Sequence, residues 1–247
     1  MAKTLKDWVK TDVAKVKKKP LKWLSEEYFF RVPTRPLYSD AEFMFAPADG
    51  IILYQKWVKP DAPIVDIKGK PYSLRDAMRD DDYNEESLVI GIFMTMYDVH
   101  VNRIPYAGYL SYRELEPISS YNCPMLDIEK GLIDELMVRN TNSVYLHNNQ
   151  RLLNRIYAPE LQQWYYILQI ADYDVDCITP FDLSQNEAVS QTEPFSQIRF
   201  GSQVDLILPK SSLFEFETLQ DCGMHVEGGV DPIIRIHAHD KPDTTPH

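Results

Sequence analysis

The chain has 247 residues, of which 44% are apolar, and its 10 Phe, 15 Tyr and 4 Trp favour one folded domain with a full core. Its net charge of −11 argues against nucleic acid as a partner, and no stretch approaches the roughly 18–20 continuous apolar residues of a membrane span. The N-terminus has no apolar region of the kind that a signal peptide needs. Three distant cysteines form no Cys-x-x-Cys pair, so we expect a reducing compartment, no disulfide framework and no metal site: Cys123, Cys177 and Cys222.

The charge is concentrated at the N-terminus. Residues 1–24 hold eight lysines and two aspartates, a net of +6, which leaves −17 for the remainder. Apolar residues recur there at roughly helical spacing, with lysines largely between them: Leu5, Trp8, Val9, Val13 and Val16. This pattern predicts a basic amphipathic helix over residues 3–18. The helix either lies on an anionic membrane surface, with Trp8 and Trp23 near the headgroups, or packs on the acidic body of its own chain.

Beyond a connector marked by Pro33 and Pro36, many short apolar stretches alternate with Pro, Gly and Asp turns. Strands are predicted at 43–45, 50–54, 88–95, 164–170, 203–208, 214–217 and 230–236. One short helix is predicted around 128–137, and a polar tail from Ala238. We therefore expect an α+β fold, mostly antiparallel β, with a two-sheet β core, peripheral helices and the basic amphipathic N-terminal helix. Residues 1–36 are expected to form an N-terminal segment, and residues 37–247 a single domain.

The stretch 198–209 combines a strand pattern with a Gly-Ser pair. Val204, Leu206 and Leu208 alternate with Gln203 and Asp205, as in a half-buried strand. The preceding Gly201-Ser202 pair is explained either by a bulge or close approach of backbones, or by reactivity. Since glycine does not shield its carbonyl, the Ser202 hydroxyl could attack it. β-Elimination and hydrolysis would then leave a pyruvoyl group in place of Ser202.

Five stretches together carry a family resemblance: Phe45-Ala-Pro-Ala-Asp-Gly50, Ile67-Lys-Gly-Lys-Pro-Tyr-Ser-Leu74, Asp98-Val-His-Val-Asn-Arg-Ile-Pro-Tyr-Ala-Gly108, Asn149-Gln-Arg151 with Leu168-Gln-Ile-Ala171, and Ile198-Arg-Phe-Gly-Ser-Gln-Val-Asp-Leu-Ile-Leu-Pro209. In this order they resemble the pyruvoyl-dependent phosphatidylserine decarboxylases, in particular their short form. The resemblance runs from about residue 43 to about residue 236.

The resemblance implies self-cleavage between Gly201 and Ser202, giving a β chain of residues 1–201 and an α chain of residues 202–247. Ser202 would become the pyruvoyl cofactor, with no metal. His100 would be the general base toward Ser202, oriented by Asp49, with Asp98 as an alternative orienting carboxylate. Arg103 lies near the position of a second histidine that longer members carry.

The implied reaction is decarboxylation of phosphatidylserine to phosphatidylethanolamine and carbon dioxide, through a Schiff base between the pyruvoyl ketone and the substrate amine. The expected partners are a phospholipid and an anionic membrane surface, with the protein peripheral on the cytoplasmic face; a homodimer stays open. Two alternatives are a decarboxylase of a smaller soluble amino acid and a non-catalytic β-rich binding domain that has lost self-cleavage.

Three departures from the family pattern bear on these alternatives. Gln150 replaces the usual Glu, and Ser196-Gln197 replace the usual Gly-Met. Asp172, Asp174 and Asp176 stand where the short form tends to be basic, which would weaken contact with a phosphate headgroup.

Overall fold

The computed structural model describes residues 1–67, 70–115, 125–138, 146, 149–171, 177–199 and 202–239. Gly201, on one side of the expected cleavage bond, lies outside these residues. So do Asp172, Asp174, Asp176 and most of the expected polar tail.

Short strands supply most of the regular structure. They are β1 (Lys3–Thr4), β2 (Phe43–Phe45), β3 (Gly50–Val58), β4 (Pro63–Ile67), β5 (Lys70–Ser73), β6 (Ser87–Met94), β7 (Val101–Arg103), β8 (Gly108–Leu115), β9 (Arg151–Ala158), β10 (Gln163–Ala171), β11 (Ile178–Pro180), β12 (Glu187–Val189), β13 (Pro194–Ile198), β14 (Ser202–Pro209), β15 (Phe214–Thr218), β16 (Met224–Val226) and β17 (Pro232–Ala238). All seven predicted strands are confirmed within this set, some with longer bounds.

The helical elements are short. They are α1 (Leu5–Trp8), a π-helical turn Val9–Val13, α2 (Ala14–Val16), α3 (Leu21–Trp23), a second π-helical turn Leu24–Tyr28, α4 (Leu74–Met78) and α5 (Leu126–Asp134). α5 ends before the predicted residue 137, because Leu136 adopts a left-handed φ of 53°. Among the described residues, no helix has the length and apolar character needed to cross a membrane.

The strand pairings are antiparallel, which confirms the expected α+β class. The largest sheet has nine strands in the order β1-β16-β3-β6-β14-β10-β9-β8-β12. Smaller sheets have the orders β11-β13-β7, β15-β17-β2 and β4-β5. Strand β14, which begins at Ser202, therefore lies in the middle of the large sheet, between β6 and β10.

Both faces of β14 are buried, so the prediction of a half-buried strand was wrong. Val204 and its alternate neighbours belong to one apolar cluster, while Ile207 belongs to a second cluster across the sheet. The polar side chains on the second face bond each other: Gln203 Nε2 donates to Tyr54 Oη and to Asp205 Oδ1, each at 2.6 Å. Tyr54 Oη donates to Asp205 Oδ2 at 2.8 Å. Burial raises the pKa of Asp205 to about 6, although these hydrogen bonds oppose the shift.

The N-terminal segment packs on the body of its own chain. β1 pairs with β16 at the edge of the large sheet, and Leu5, Trp8 and Val13 belong to the second apolar cluster. Trp8 is only 3% exposed, so the prediction that it lies among lipid headgroups was wrong. Its place in the apolar cluster agrees with the alternative interpretation, in which this helix packs on the protein. Several lysines of the segment stay exposed on the outer side: Lys6, Lys10, Lys15, Lys17, Lys18, Lys19 and Lys22.

Candidate active site

Ser202 is the first residue of β14 and has no exposed surface. It lies opposite Met94 of β6 and Ala171 of β10. Its hydroxyl donates to Met94 Sδ at 3.3 Å, a weak acceptor. The backbone of Ser202 is therefore fixed between two central strands, while its hydroxyl makes a weak bond that a stronger base can replace.

His100 immediately precedes β7 and is fully buried. Its Nδ1 lies 3.1 Å from the backbone oxygen of Asp98. Because a carbonyl oxygen only accepts, Nδ1 carries the hydrogen, and Nε2 carries the lone pair of the neutral ring. The imidazole stacks on Phe29, with centroids 3.7 Å apart and an interplanar angle of 25°. This geometry selects Nε2 as the basic nitrogen.

The structure brings His100 and Ser202 onto neighbouring segments. The backbone oxygen of His100 accepts from Ile198 N at 3.1 Å, four residues before Ser202. Met94 Sδ accepts both from Ser202 Oγ and, at 3.6 Å, from Asn102 Nδ2, two residues after His100. Strand pairing and one shared acceptor thus link the candidate nucleophile with the segment of the candidate base.

A buried chain of amides supports this link, and sequence reasoning did not identify it as such. Gln169 Nε2 donates to Asn102 Oδ1 at 2.6 Å and to Ser196 Oγ at 3.0 Å. Asn154 Nδ2 in turn donates to Gln169 Oε1 at 2.9 Å. Gln169 lies in the Leu168-Gln-Ile-Ala171 stretch, but only the pairing of β9 and β10 shows that Asn154 is its partner. The chain of bonds fixes β7 relative to β10.

Asp49 does not have the contacts expected of the residue that orients His100. Its carboxylate is buried and accepts from Arg35 Nη1 at 2.6 Å, Arg35 Nη2 at 2.7 Å and Gly228 N at 2.8 Å. The following Gly50 has φ 151°, and a Cβ there would lie 2.2 Å from Phe93 O. The close approach of Gly50 to β6 therefore requires glycine directly after Asp49, and the Asp49 carboxylate is held separately by its bidentate pair with Arg35.

Of the two candidate orienting carboxylates, Asp98 is the one that contacts His100, through its backbone oxygen and not its carboxylate. The carboxylate accepts from Thr95 N and Thr95 Oγ1, each at 2.8 Å, and from His225 Nε2 at 2.7 Å. Burial alone would raise the pKa of Asp98, but His225 and the Thr95 bonds outweigh it and hold that pKa below its usual value. Asp98 therefore stays a carboxylate.

His225 is a site residue that the sequence analysis missed. It lies on β16 and stacks on Trp8, with centroids 4.4 Å apart and an interplanar angle of 12°. No sequence spacing connects it with Asp98, since their contact depends on the tertiary arrangement around β16.

The remaining predicted residue, Arg103, is buried and donates from Nη1 to Thr192 O at 2.9 Å. Burial, and then the nearby charge of Arg35, lower the pKa of Arg103.

A cavity of about 380 Å³ opens beside this group, between the N-terminal segment and the loop before His100. Tyr28, Arg31 and Arg35 line one side, and Asp49, Asp98 and His225 are also on its wall. A larger cavity, of about 550 Å³, lies on the outer face of β8, β9 and β10 and is lined by none of the predicted site residues. The smaller cavity is selected because Asp49 and Asp98 line it, and not because of its size.

The family model described as phosphatidylserine decarboxylase matches residues 27–232. The chain belongs to the phosphatidylserine decarboxylase family. The match begins just before Tyr28, so the lysine-rich helical part precedes it, whereas Phe29, His100, Asp98 and Ser202 lie within it.

Several members of the phosphatidylserine decarboxylase family match most of the length of this chain. A protein of Methanopyrus kandleri, provisionally named an archaetidylserine decarboxylase proenzyme, is 27% identical over 211 residues, which are 85% of this chain and 81% of the relative. A phosphatidylserine decarboxylase proenzyme of Amoebophilus asiaticus is 26% identical over 87% of this chain and 76% of the relative. A phosphatidylserine decarboxylase proenzyme of Carboxydothermus hydrogenoformans is 26% identical over 85% of this chain and 78% of the relative.

Two departures from the family pattern have structural partners here. Gln150 Oε1 accepts from Cys177 N at 3.0 Å, and Gln150 O accepts from Ala171 N at 3.0 Å. Ser196 is buried and donates from Oγ to Thr179 O at 3.1 Å. Both replacements are therefore accommodated by hydrogen bonds near the candidate site.

Proposed function

We propose that this chain cleaves itself at Gly201–Ser202 and then decarboxylates phosphatidylserine to phosphatidylethanolamine and carbon dioxide with a pyruvoyl group formed from Ser202. The observation that carries the proposal is the placement of Ser202. Its buried hydroxyl starts a central strand and shares an acceptor with the segment of His100. The family membership of the chain supplies the reaction that this placement suits.

In the proposed self-cleavage, His100 Nε2 takes the proton of Ser202 Oγ as that oxygen attacks the Gly201 carbonyl carbon. His100 then gives that proton to the peptide nitrogen, which leaves the carbon as an amine, and an ester to Ser202 Oγ replaces the amide. Loss of the Ser202 α-proton then expels the Gly201 carboxylate and leaves a dehydroalanine. Tautomerisation and attack by water release ammonia and give the ketone. Asp98 contributes by holding Nδ1–H of His100 through its backbone oxygen.

The residues around Ser202 fit a pyruvoyl group. After cleavage the first residue of β14 would still lie between Met94 and Ala171, since strand pairing and not the severed bond holds it. A pyruvoyl group supplies a ketone that condenses with an amine and an adjacent carbonyl that accepts electrons. His100 would exchange the proton at the substrate α-carbon, and the buried amides would exclude water.

We propose that the serine headgroup is the part of the substrate that this site recognises. The names of the relatives share serine and differ in the lipid that carries it. We propose residues 37–247 as the catalytic domain and residues 1–36 as a basic segment that docks at the cytoplasmic face of an anionic membrane. Support comes from the exposed lysines and from exposed apolar side chains on the same segment: Leu21, Phe30 and Val32.

The test is carbon dioxide release from vesicles of phosphatidylserine, compared with release from free serine, for the wild-type chain and Ser202→Ala. We expect release from vesicles by the wild type alone. Release from free serine but not from vesicles would transfer the assignment to a soluble amino acid. Release by neither chain, with no self-cleavage, would favour the non-catalytic binding domain.

A further inference from the structure

A short stretch of the N-terminal segment contacts the residues proposed to perform self-cleavage. We call residues 28–35 the clamp. Phe29 stacks on His100, Arg31 bonds the loop before it, and Arg35 pairs with Asp49. The contacts of Phe29 and Arg31 join residues that are 66 or more positions apart in sequence, and the pair of Arg35 with Asp49 joins residues 14 positions apart. All three contacts lie in one small region around His100 and Asp49. Packing of a terminal segment on the body of the protein would not by itself require this.

Phe29 restricts the plane of the His100 ring. It is 4% exposed, and its ring lies 3.7 Å from the imidazole at an angle of 25°. Rotation of the imidazole about its χ2 angle would drive a ring edge into the Phe29 face. A non-aromatic side chain of similar volume would fill the space but would not keep the flat contact.

Arg31 fixes the peptide that determines the His100 tautomer. Its Nη1 donates to Asp98 O at 3.2 Å, and its Nη2 donates to Tyr97 O at 2.6 Å. The same guanidinium donates to Tyr28 O at 2.8 Å and lies 3.7 Å from the centroid of the Tyr28 ring. Asp98 O therefore accepts from both Arg31 and His100 Nδ1, which uses its two lone pairs.

We propose that Phe29 and Arg31 are positioning residues for His100: Phe29 sets the plane of the imidazole, and Arg31 sets the carbonyl that keeps the hydrogen on Nδ1. This inference rests on the proposed function, because it concerns the base of the proposed self-cleavage. Neither residue touches Ser202 in the described contacts, so both act through His100. The planar fork of arginine bridges two successive carbonyls in a way that a single ammonium does not.

The experiment follows self-cleavage of freshly made chain over time by intact mass. Phe29→Leu and Arg31→Gln are expected to slow it by roughly 10- to 100-fold, the effect of a small displacement of a reacting group. Arg31→Lys is expected to restore part of the rate. Two matched controls are Phe181→Leu, at an exposed ring outside the N-terminal segment, and Arg235→Gln, at an exposed arginine that also lies over an aromatic ring. Both are expected to cleave within about twofold of the wild type.

A second measurement separates positioning from loss of folding. In the Ser202→Ala background the chain stays in one piece, and long-range ¹H–¹⁵N spectra report which nitrogen of His100 carries hydrogen. We expect one tautomer, with hydrogen on Nδ1, and a mixture after Arg31→Gln at unchanged far-UV circular dichroism.

The outcomes distinguish this inference from the function on which it rests. If the wild-type chain never cleaves, the proposed function fails, while the His100 spectrum still decides whether the clamp sets the tautomer. If the wild type cleaves and Phe29→Leu and Arg31→Gln cleave as fast as their controls, the positioning inference is wrong and the proposed function stands. An unchanged His100 spectrum in Arg31→Gln would also overturn the role of Arg31.

Discussion

The two parts of the N-terminal segment, residues 1–26 and the clamp, use their positive charges in opposite ways. In the first part lysines point outward, and its buried face reaches the site through Trp8, which stacks on His225. In the clamp, arginines point inward and bond directly to Asp49 and to the loop before His100. Lysine keeps a strongly hydrated charge at the surface, whereas arginine can be buried with its donors satisfied. Adjacent basic stretches of one chain therefore differ in what they can control.

The largest difference between the two parts is expected at Arg35. Arg35→Met leaves the Asp49 carboxylate buried without its bidentate partner, and removing one member of a buried ion pair costs about 3–5 kcal/mol. The matched change in the first part is Lys22→Met, which breaks an exposed 3.9 Å pair with Glu26 and should cost at most about 0.5 kcal/mol. Urea unfolding in the Ser202→Ala background measures both. Equal losses in the two variants would remove the distinction.

A smaller, pH-dependent effect is expected at His225, where the first part reaches the site. His225→Phe keeps a ring against Trp8 but removes the donor to Asp98, at a cost of about 1–3 kcal/mol. Because the folded-state pKa of Asp98 lies below its ordinary value of 3.8, its contribution is complete above that pH and is lost as the pH falls through the folded-state value. Unfolding of the variant and its parent from pH 8 to pH 3 should show a difference in the free energy of unfolding that narrows below pH 3.8. A difference that widens toward acid pH would contradict this account of Asp98.

The smallest effect on the site is expected from the outward lysines. Lys6, Lys10 and Lys18 are exposed, and changing all three to Glu should leave self-cleavage within about twofold of the wild-type rate. Since each lysine near an anionic surface contributes about 1 kcal/mol, binding to phosphatidylserine vesicles should fall by roughly 100-fold or more. Vesicle sedimentation and intact mass measure the two properties. Slower cleavage would mean that the first part also acts on the site, and unchanged binding would remove its membrane role.

Sequence patterns predicted seven of the strands but not others such as β4 and β9, and motif order indicated the family. They could not predict the environment of β14, because the partner that bonds the buried polar residues Gln203 and Asp205 is Tyr54 on another strand. Periodicity marks alternation of side chains but not whether both faces of a sheet are covered. β12 and β16 were missed because each has only three residues and, unlike the all-apolar β2, includes a polar one, Glu187 or His225.

The sequence predicted which residues belong to the candidate site better than it predicted the contacts between them. Ser202, His100, Asp98 and Asp49 lie in quoted motifs, but motifs do not state which atom bonds which. The pairing of Asp49 with Arg35, and the use of the Asp98 backbone oxygen by His100, depend on how residues 28–35 fold back over the loop. Such contacts, across long separations in sequence, are set by tertiary packing.

The intact mass of the purified wild-type chain under denaturing conditions, with Ser202→Ala beside it, tests the central claim most directly. The account predicts two fragments from the wild type, residues 1–201 and residues 202–247, the smaller one lighter than a serine end requires by the difference between serine and pyruvoyl. It predicts one unbroken chain from Ser202→Ala. An unbroken wild-type chain, or cleavage that persists in Ser202→Ala, would contradict the claim that Ser202 is the nucleophile of self-processing.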